Sequence, residues 1–421
     1  MTKDAFSALL QDKPCLLDGA TGSNLMARGM PRGVCTELWV LEHPEVLQTL
    51  QKEYLQAGSQ VLYAPTFNAN PIAMASQGLE KEEVRKLNRQ LLELTRRTAG
   101  DQALVAGDMT TVAAPLEPLG KLSFTQAYDA YCLQAEALYQ AGADLLVAET
   151  MMGVEETVAA AEAVRSACDL PLLCSFSTEG DGKCYFDGSL QEAAPILEHL
   201  GICALGLNCS AGPAQLESLL RQLKELSSLP LLAKPNAGLP SITPEGEAVY
   251  SLSPEDFAQQ MAPLVSLGVK LVGGCCGTPP AHIRALKEVL PGGQGSGEKG
   301  FPQNAPFRLP LIQGKGKKKT EEKAAGKSRR PFLLGETLPL LPQEVERTGI
   351  KWKRPTAGVK GGRGREGPPL SPGANPVASL SGEGAGAAAG APHCTRAMEA
   401  ARNVSNFSYS SGMEHAISTS W

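Results

Sequence analysis

Residues 272–278 read VGGCCGT, so two thiols, Cys275 and Cys276, stand side by side after a short apolar run and among glycines. Adjacent cysteines do not bridge each other without strain, because a disulfide needs a wider Cα separation than chain neighbours have. A third thiol, Cys209, follows another apolar run in the stretch GLNCS. Three thiolates facing one point form a site for zinc, a borderline-soft ion that favours tetrahedral sulfur ligation. Three protein ligands leave the fourth position open, as in catalytic zinc sites. Gly273, Gly274 and Gly277 allow the backbone to bend so that the adjacent side chains converge. Taken singly, each cysteine has a plainer reading as a small core hydrophobe at a strand end; the joint pattern singles them out. Cys15, Cys35, Cys132, Cys168, Cys174, Cys184 and Cys203 have no such setting and read as structural, and Cys394 lies far downstream.

Eight short β-rich runs are positioned to carry these residues: Cys15–Asp18, Val61–Ala64, Ala103–Asp108, Asp144–Thr150, Leu172–Ser177, Ala204–Ser210, Leu231–Asn236 and Lys270–Cys275. Between them lie helix-period segments such as PEVLQTLQKEYLQAG and FTQAYDAYCLQAEALYQAG, several closing on the glycine that commonly stops a helix. Eight strand–helix units in roughly 290 residues predict an α/β fold, a (β/α)8 TIM barrel over residues 1–291. An open doubly wound sheet is the alternative. It calls for a G-x-G-x-x-G turn after the first strand, and DGATGS is not one.

In such a barrel, functional residues collect at the C-terminal ends of the strands. Those ends carry Asp18-Gly19, Thr66 and Asn68, Asp108, Glu149-Thr150, Asn208-Cys209-Ser210, Pro235-Asn236 and Gly273–Gly277. Strands six and eight lie close together around a closed barrel, which brings Cys209 to Cys275 and Cys276. Plainer roles exist for the others. Asp18 is placed to cap the following helix, Glu149 to form an interstrand ion pair with a lysine or arginine, and Asn236 to satisfy turn backbone. The five histidines, His43, His199, His282, His393 and His415, fall at helix ends or downstream of residue 292, so no fourth ligand accompanies the cysteines.

The 421-residue chain is 43% hydrophobic with a net charge of −5. That charge divides into about −14 before residue 295 and about +9 after it. An acidic barrel argues against nucleic acid as its partner. From residue 292 to 421 the sequence is a low-complexity, basic stretch rich in Gly, Pro and Ala, with GKGKKKTEEKAAGKSRR and GEGAGAAAGAP; this composition predicts a disordered C-terminal tail. No run is long and apolar enough for a membrane span, and MTKDAFSALL does not read as a secretory signal. A cytoplasmic protein with free or metal-bound thiols is the expectation.

The motifs DGATGS, TFNAN, ETM, GLNCS, PNAG and GGCCGT occur in this order over roughly residues 10–290. This set resembles the zinc-dependent homocysteine S-methyltransferase family, most of all the homocysteine-binding module of cobalamin-dependent methionine synthase. The resemblance implies a (β/α)8 barrel with zinc on Cys209, Cys275 and Cys276 and the homocysteine thiol at the open position. It implies further that Asn236 occupies that position when substrate is absent and that Glu149 holds the homocysteine ammonium. Asp18 and Gly19 would contact the amino-acid end, and Thr66 and Asn68 would line the pocket. Residue types agree with that picture. A free alkyl thiol is mostly protonated at neutral pH, whereas zinc ligation deprotonates it, and an anionic three-thiolate complex keeps the substrate sulfur electron-rich. Two positions depart from the family pattern: Ala64, where a polar residue is usual, and GDMTT, where a Gly-Ser type turn is usual. The methyl donor is not legible. Either S-methylmethionine enters directly or methylcobalamin arrives on a separate corrinoid carrier protein. Two rivals accompany this reading: methylation of another small thiol or selenol, and a non-catalytic barrel with a structural zinc.

Overall fold

The computed structural model describes residues 1–242 and 248–292. The expectation of a disordered tail lies outside the described residues. Eight parallel strands form one sheet: β1 (Cys15–Leu16), β2 (Val61–Tyr63), β3 (Leu104–Thr110), β4 (Leu145–Met151), β5 (Leu172–Phe176), β6 (Ala204–Asn208), β7 (Leu231–Lys234) and, after a small hairpin of β8 (Ser241–Ile242) and β9 (Ala248–Val249), β10 (Leu271–Val272). The ladder runs β1-β10-β7-β6-β5-β4-β3-β2. Strands β1 and β2 meet at a seam without a ladder. There Gln60 N donates to Leu16 O at 2.7 Å, Gln60 Oε1 accepts from Leu16 N at 3.0 Å, and the Asp18 carboxylate accepts from Tyr63 N at 2.8 Å. The sheet is therefore a barrel, closed partly by side chains. The β8–β9 hairpin is an element that strand-and-helix rhythm did not foresee, because it is two short pairs inserted after the PNAG turn.

Strand alternation divides the barrel into two cores. Outward residues such as Leu62, Val105, Leu146, Leu205 and Val272 pack under the ring of helices with Leu50, Leu91, Leu138, Leu220 and Ile283. Inward residues Leu17, Val61, Ala106, Leu145, Val147, Leu173, Leu232 and Leu271 form a separate apolar cluster. Phe6 and Leu10, from and just after the helix Lys3–Leu9, belong to that inner cluster and are buried against it. The helix ends obey the sequence. Helix Pro44–Ala57 opens on proline and closes at Gly58, and helix Pro254–Leu267 opens on a Ser253 cap and closes at Gly268, both glycines having a left-handed backbone. Helices Lys81–Ala99 and Phe124–Gln140 each start with a capping box.

Moving two residues up a strand from the apolar inner layer returns to the same face. From Ala106, Val147 and Leu232 that step lands on Asp108, Glu149 and Lys234. The inner core is thus apolar below and charged at its C-terminal end.

Candidate active site

Cys209 follows β6 directly and adopts a left-handed backbone, φ 56°. Such a conformation costs a non-glycine residue on the order of 1–2 kcal/mol, so surrounding bonds must hold it. Thr150, directly after Glu149, is also left-handed at φ 58°. One side chain locks both. Asn208 Oδ1 accepts from Thr150 N at 2.8 Å and from Ser175 Oγ at 2.9 Å, and Asn208 Nδ2 donates to Thr150 Oγ1 at 2.7 Å. The β4–β5 register shifts between Ala148 and Met151, an irregularity of the kind that re-aims a side chain beside a site. Asn208 therefore positions a cysteine and a carboxylate together.

After β10 the chain turns in toward Cys209. Gly274 N donates to Asp18 O, Cys275 N to Pro235 O at 2.8 Å, and Cys276 N to Asn236 Oδ1 at 3.1 Å. A Cβ at Gly274 would collide with the Thr278 side chain, so the turn requires glycine there. Asn236 Nδ2 donates back to Cys209 O at 3.3 Å. Both ends of the Asn236 amide are thereby engaged by the two cysteine segments, which is the turn-satisfying role the residue type allowed.

The Sγ atoms of Cys209, Cys275 and Cys276 all lie within 4.8 Å of one another, and those of Cys209 and Cys276 are 3.5 Å apart. Tetrahedral zinc with Zn–S bonds of about 2.3 Å sets its sulfurs about 3.8 Å apart, so the three thiols fit that ion. Hydrogen bonding with the other two thiols, followed by burial, pushes the Cys209 thiol well above its usual range; a bound cation would reverse this. Among the described residues no histidine or further cysteine joins the group.

Beside the triad lies a small cavity whose walls include Asp18, Gly19, Tyr63, Asp108, Glu149, Lys234 and Cys275. Lys234 Nζ stands 3.2 Å from Asp18 Oδ1, 3.5 Å from Glu149 Oε2 and 3.6 Å from the centre of the Tyr63 ring. All four side chains are at least nine-tenths buried. Burial pushes the Glu149 carboxyl up to about 7, even though Lys234 pulls it down. Burial and then the neighbouring Glu149 charge raise Asp108 well above the carboxylate range. Gly19 approaches so closely that a Cβ would strike Thr278 O and the Tyr54 hydroxyl.

The structure brings Asp18, Gly19, Glu149 and the three cysteines to one place, with Cys275 on the walls of both subsites. Asp18 does not cap the helix after it; one oxygen closes the barrel seam and the other meets Lys234. Glu149 has the lysine partner that an interstrand ion pair predicts. Thr66 and Asn68 do not border the cavity. The Thr66 hydroxyl donates to Asp108 O at 2.8 Å and accepts from Asp108 N at 3.0 Å, and Asn68 N donates to Glu37 Oε1 at 2.9 Å. Thr66 thus acts behind the wall, holding Asp108. Sequence reasoning placed Asp108 at a functional strand end without giving it a role, and missed Lys234. The signal available was a charge on the inward register of a strand otherwise filled by Leu and Ala.

Barrel and thiol cluster together define a (β/α)8 protein with a three-cysteine cluster able to hold a metal ion at its C-terminal mouth. Residues 15–290 match the model of the homocysteine S-methyltransferase family, and the chain belongs to that family. It is 31% identical over 300 residues to methionine synthase of Mycobacterium tuberculosis, covering 67% of this chain and 25% of that protein. Against methionine synthase of Mycobacterium leprae it is 30% identical over 291 residues, 65% of this chain and 24% of the relative. The chain spans about a quarter of the length of these curated relatives. Among solved structures it is similar to the homocysteine methyltransferase MmuM from Escherichia coli in its metallated form, with 27% identity, a TM-score of 0.57, and coverage of 67% of this chain and 98% of that one. Among the described residues no helix is long and apolar enough to cross a membrane.

Proposed function

We propose that the barrel, residues 1–291, transfers a methyl group to the thiol of L-homocysteine to give methionine. The observation that carries this reading is Cys275, which belongs to the thiol triad and to the wall of a carboxylate-lined cavity at once. A ligand filling both has a sulfur at one end and a cation a few bonds away, the description of an amino-acid thiol. Zinc held by Cys209, Cys275 and Cys276 would supply a deprotonated, electron-rich substrate sulfur at neutral pH. Glu149 attracts the substrate ammonium, and its burial gives that charge pair more force than bulk water would. Asp18 and Gly19 form the floor against the amino-acid end. As the sulfur–methyl bond forms, the donor's bond to the methyl group breaks and its electron pair leaves with the donor.

The family and the relatives support methyl transfer to homocysteine, and the donor divides two versions of this reading. Similarity to nearly the whole length of MmuM favours a self-sufficient barrel using a small donor such as S-methylmethionine. Similarity to a quarter of methionine synthase favours methylcobalamin on a corrinoid partner protein. Methionine formation by the zinc-loaded protein, with each donor supplied separately, decides between them. Methylation of another thiol or selenol in an acceptor panel, at the expense of homocysteine, would overturn the acceptor assignment. A zinc that exchanges no ligand on homocysteine addition would make the metal structural. A cytoplasmic location belongs to the same reading, supported by ten described cysteines of which none forms a disulfide.

A further inference from the structure

We propose that Asp108 is a specificity-determining residue which, with Glu149, receives the α-ammonium of the acceptor and so rejects thiols that lack an amino group. The inference rests on the homocysteine reading and assigns a residue that the family motifs do not single out. Three buried carboxylates, Asp18, Asp108 and Glu149, face one ammonium, Lys234, across the cavity. That lysine is already shared between Asp18 and Glu149 and rests on Tyr63. Asp18 is further satisfied by Tyr63 N. Asp108 Oδ1, by contrast, is buried without a geometric hydrogen-bond partner beside Glu149, and Glu149 Oε2 has only the 3.5 Å ion pair with Lys234. Buried carboxylate oxygens without donors are costly, and a pocket with more negative than positive groups calls for a cation carrying hydrogens to give.

The Asp108 backbone is also held in place. Its peptide N–H and C=O are both engaged by the Thr66 hydroxyl, and its C=O is approached by Gln134 Nε2 at 3.5 Å. Thr66 and Gln134 are themselves buried, so the strand end that carries the carboxylate is fixed. Burial raises both carboxyls, which favours keeping a proton on the pair. An arriving ammonium takes over that role, and the proton leaves to solvent. A site built to satisfy an N–H group discriminates strongly against the analogue without it, because its own polar atoms are then left unpaired.

The test is the binding of L-homocysteine and of 4-sulfanylbutanoate, the same thiol and carboxylate without the amine, to zinc-loaded protein by calorimetry. Wild-type protein should prefer homocysteine. In Asp108→Asn the homocysteine Kd should rise at least tenfold, the 4-sulfanylbutanoate Kd should stay within about twofold, and zinc content should be unchanged. Asp108→Ser serves where the asparagine variant does not fold, with the same expectation. Equal weakening of both ligands, or of neither, overturns the role of Asp108. A wild-type protein without preference for homocysteine overturns the homocysteine reading itself, so the two failures are separable.

Discussion

The two halves of this site are built by opposite means. The thiol triad is made by loops: Cys209, Cys275 and Cys276 sit past their strands, in turns fixed by a left-handed backbone, by glycine and by the Asn236 amide. The carboxylate cavity is made by strands: Asp108, Glu149 and Lys234 occupy inward positions of β3, β4 and β7, aimed by the same alternation that fills the core beneath them. The loop half is held by backbone bonds and needs only its ligand atoms to be soft. The strand half is held by packing and balances charge against charge. Removing one side chain from the first should abolish a function, whereas removing one from the second should upset a balance.

The largest expected effect tests that distinction. Cys275→Ala or Cys209→Ala should lose zinc and all methyl transfer, while far-UV circular dichroism and the unfolding midpoint remain close to wild type. Full zinc occupancy in either variant would break the assignment of the triad. Collapse of the fold would instead make the two halves one structural unit.

This difference also explains what was legible in the sequence. The eight strands could be located because each parallel strand is buried on both faces and reads as a short apolar run. The triad could be found because Cys-Cys among glycines is an uncommon composition at a strand end. Asp18 and Glu149 drew notice through their motifs. Lys234 did not, and Asp108 was noted only as a strand end, since a single charge at the end of an apolar run looks like the residue that ends the run. Its inward direction depends on register, and register is set by pairing across the barrel. The lock formed by Asn208 was hidden for the same reason, because it joins β6 to the end of β4 across β5. Thr66 illustrates the reverse error: a polar residue in a site motif whose hydroxyl is spent entirely on backbone.

In the strand half, Lys234→Met should give the largest change in stability. It removes the counter-charge of Asp18 and Glu149 and leaves buried carboxylates without a partner, a loss of about 3–5 kcal/mol in denaturant unfolding at pH 8. Protonation relieves those carboxylates, so the loss should shrink toward pH 5. The triad should still bind zinc, because Lys234 meets Cys209 through its main-chain oxygen. A stability unchanged at pH 8 would mean that the cavity is not balanced by Lys234.

Glu156 supplies a control outside the cavity. It is as deeply buried as Glu149 but accepts from Thr111 Oγ1, Val112 N and the Tyr131 hydroxyl. Burial pushes its carboxyl up to about 7 in spite of those three donors. The folded protein therefore holds this proton more tightly than the unfolded chain, whose value is near 4.5. Its contribution to stability is present below about pH 4.5 and is lost as pH rises through 7, at most about 3 kcal/mol. Comparing wild type with Glu156→Gln in denaturant unfolding across that range should show a steeper decline in wild type, the difference being the share of Glu156, because Glu149 and Asp108 titrate in both. Homocysteine binding should be the same in both at each pH; a change would bring Glu156 into the site.

The finest distinction is between two roles for Glu149, a partner of Lys234 or a receptor for substrate. Its Oε2 stands 3.5 Å from Lys234 Nζ and makes no geometric hydrogen bond, so that oxygen is left with an ion pair alone. Glu149→Gln keeps the shape and removes the charge. If Glu149 receives the ammonium, homocysteine affinity should fall about 10- to 100-fold, equivalent to roughly 1.4–2.7 kcal/mol, with zinc content unchanged. Stability should barely move, because Lys234 keeps Asp18. If Glu149 serves mainly as the partner of Lys234, the order reverses: unfolding shifts and affinity stays. Lys234→Met and Glu149→Gln measured together then show whether the charged end of the barrel is arranged for its own balance or for the ligand that completes it.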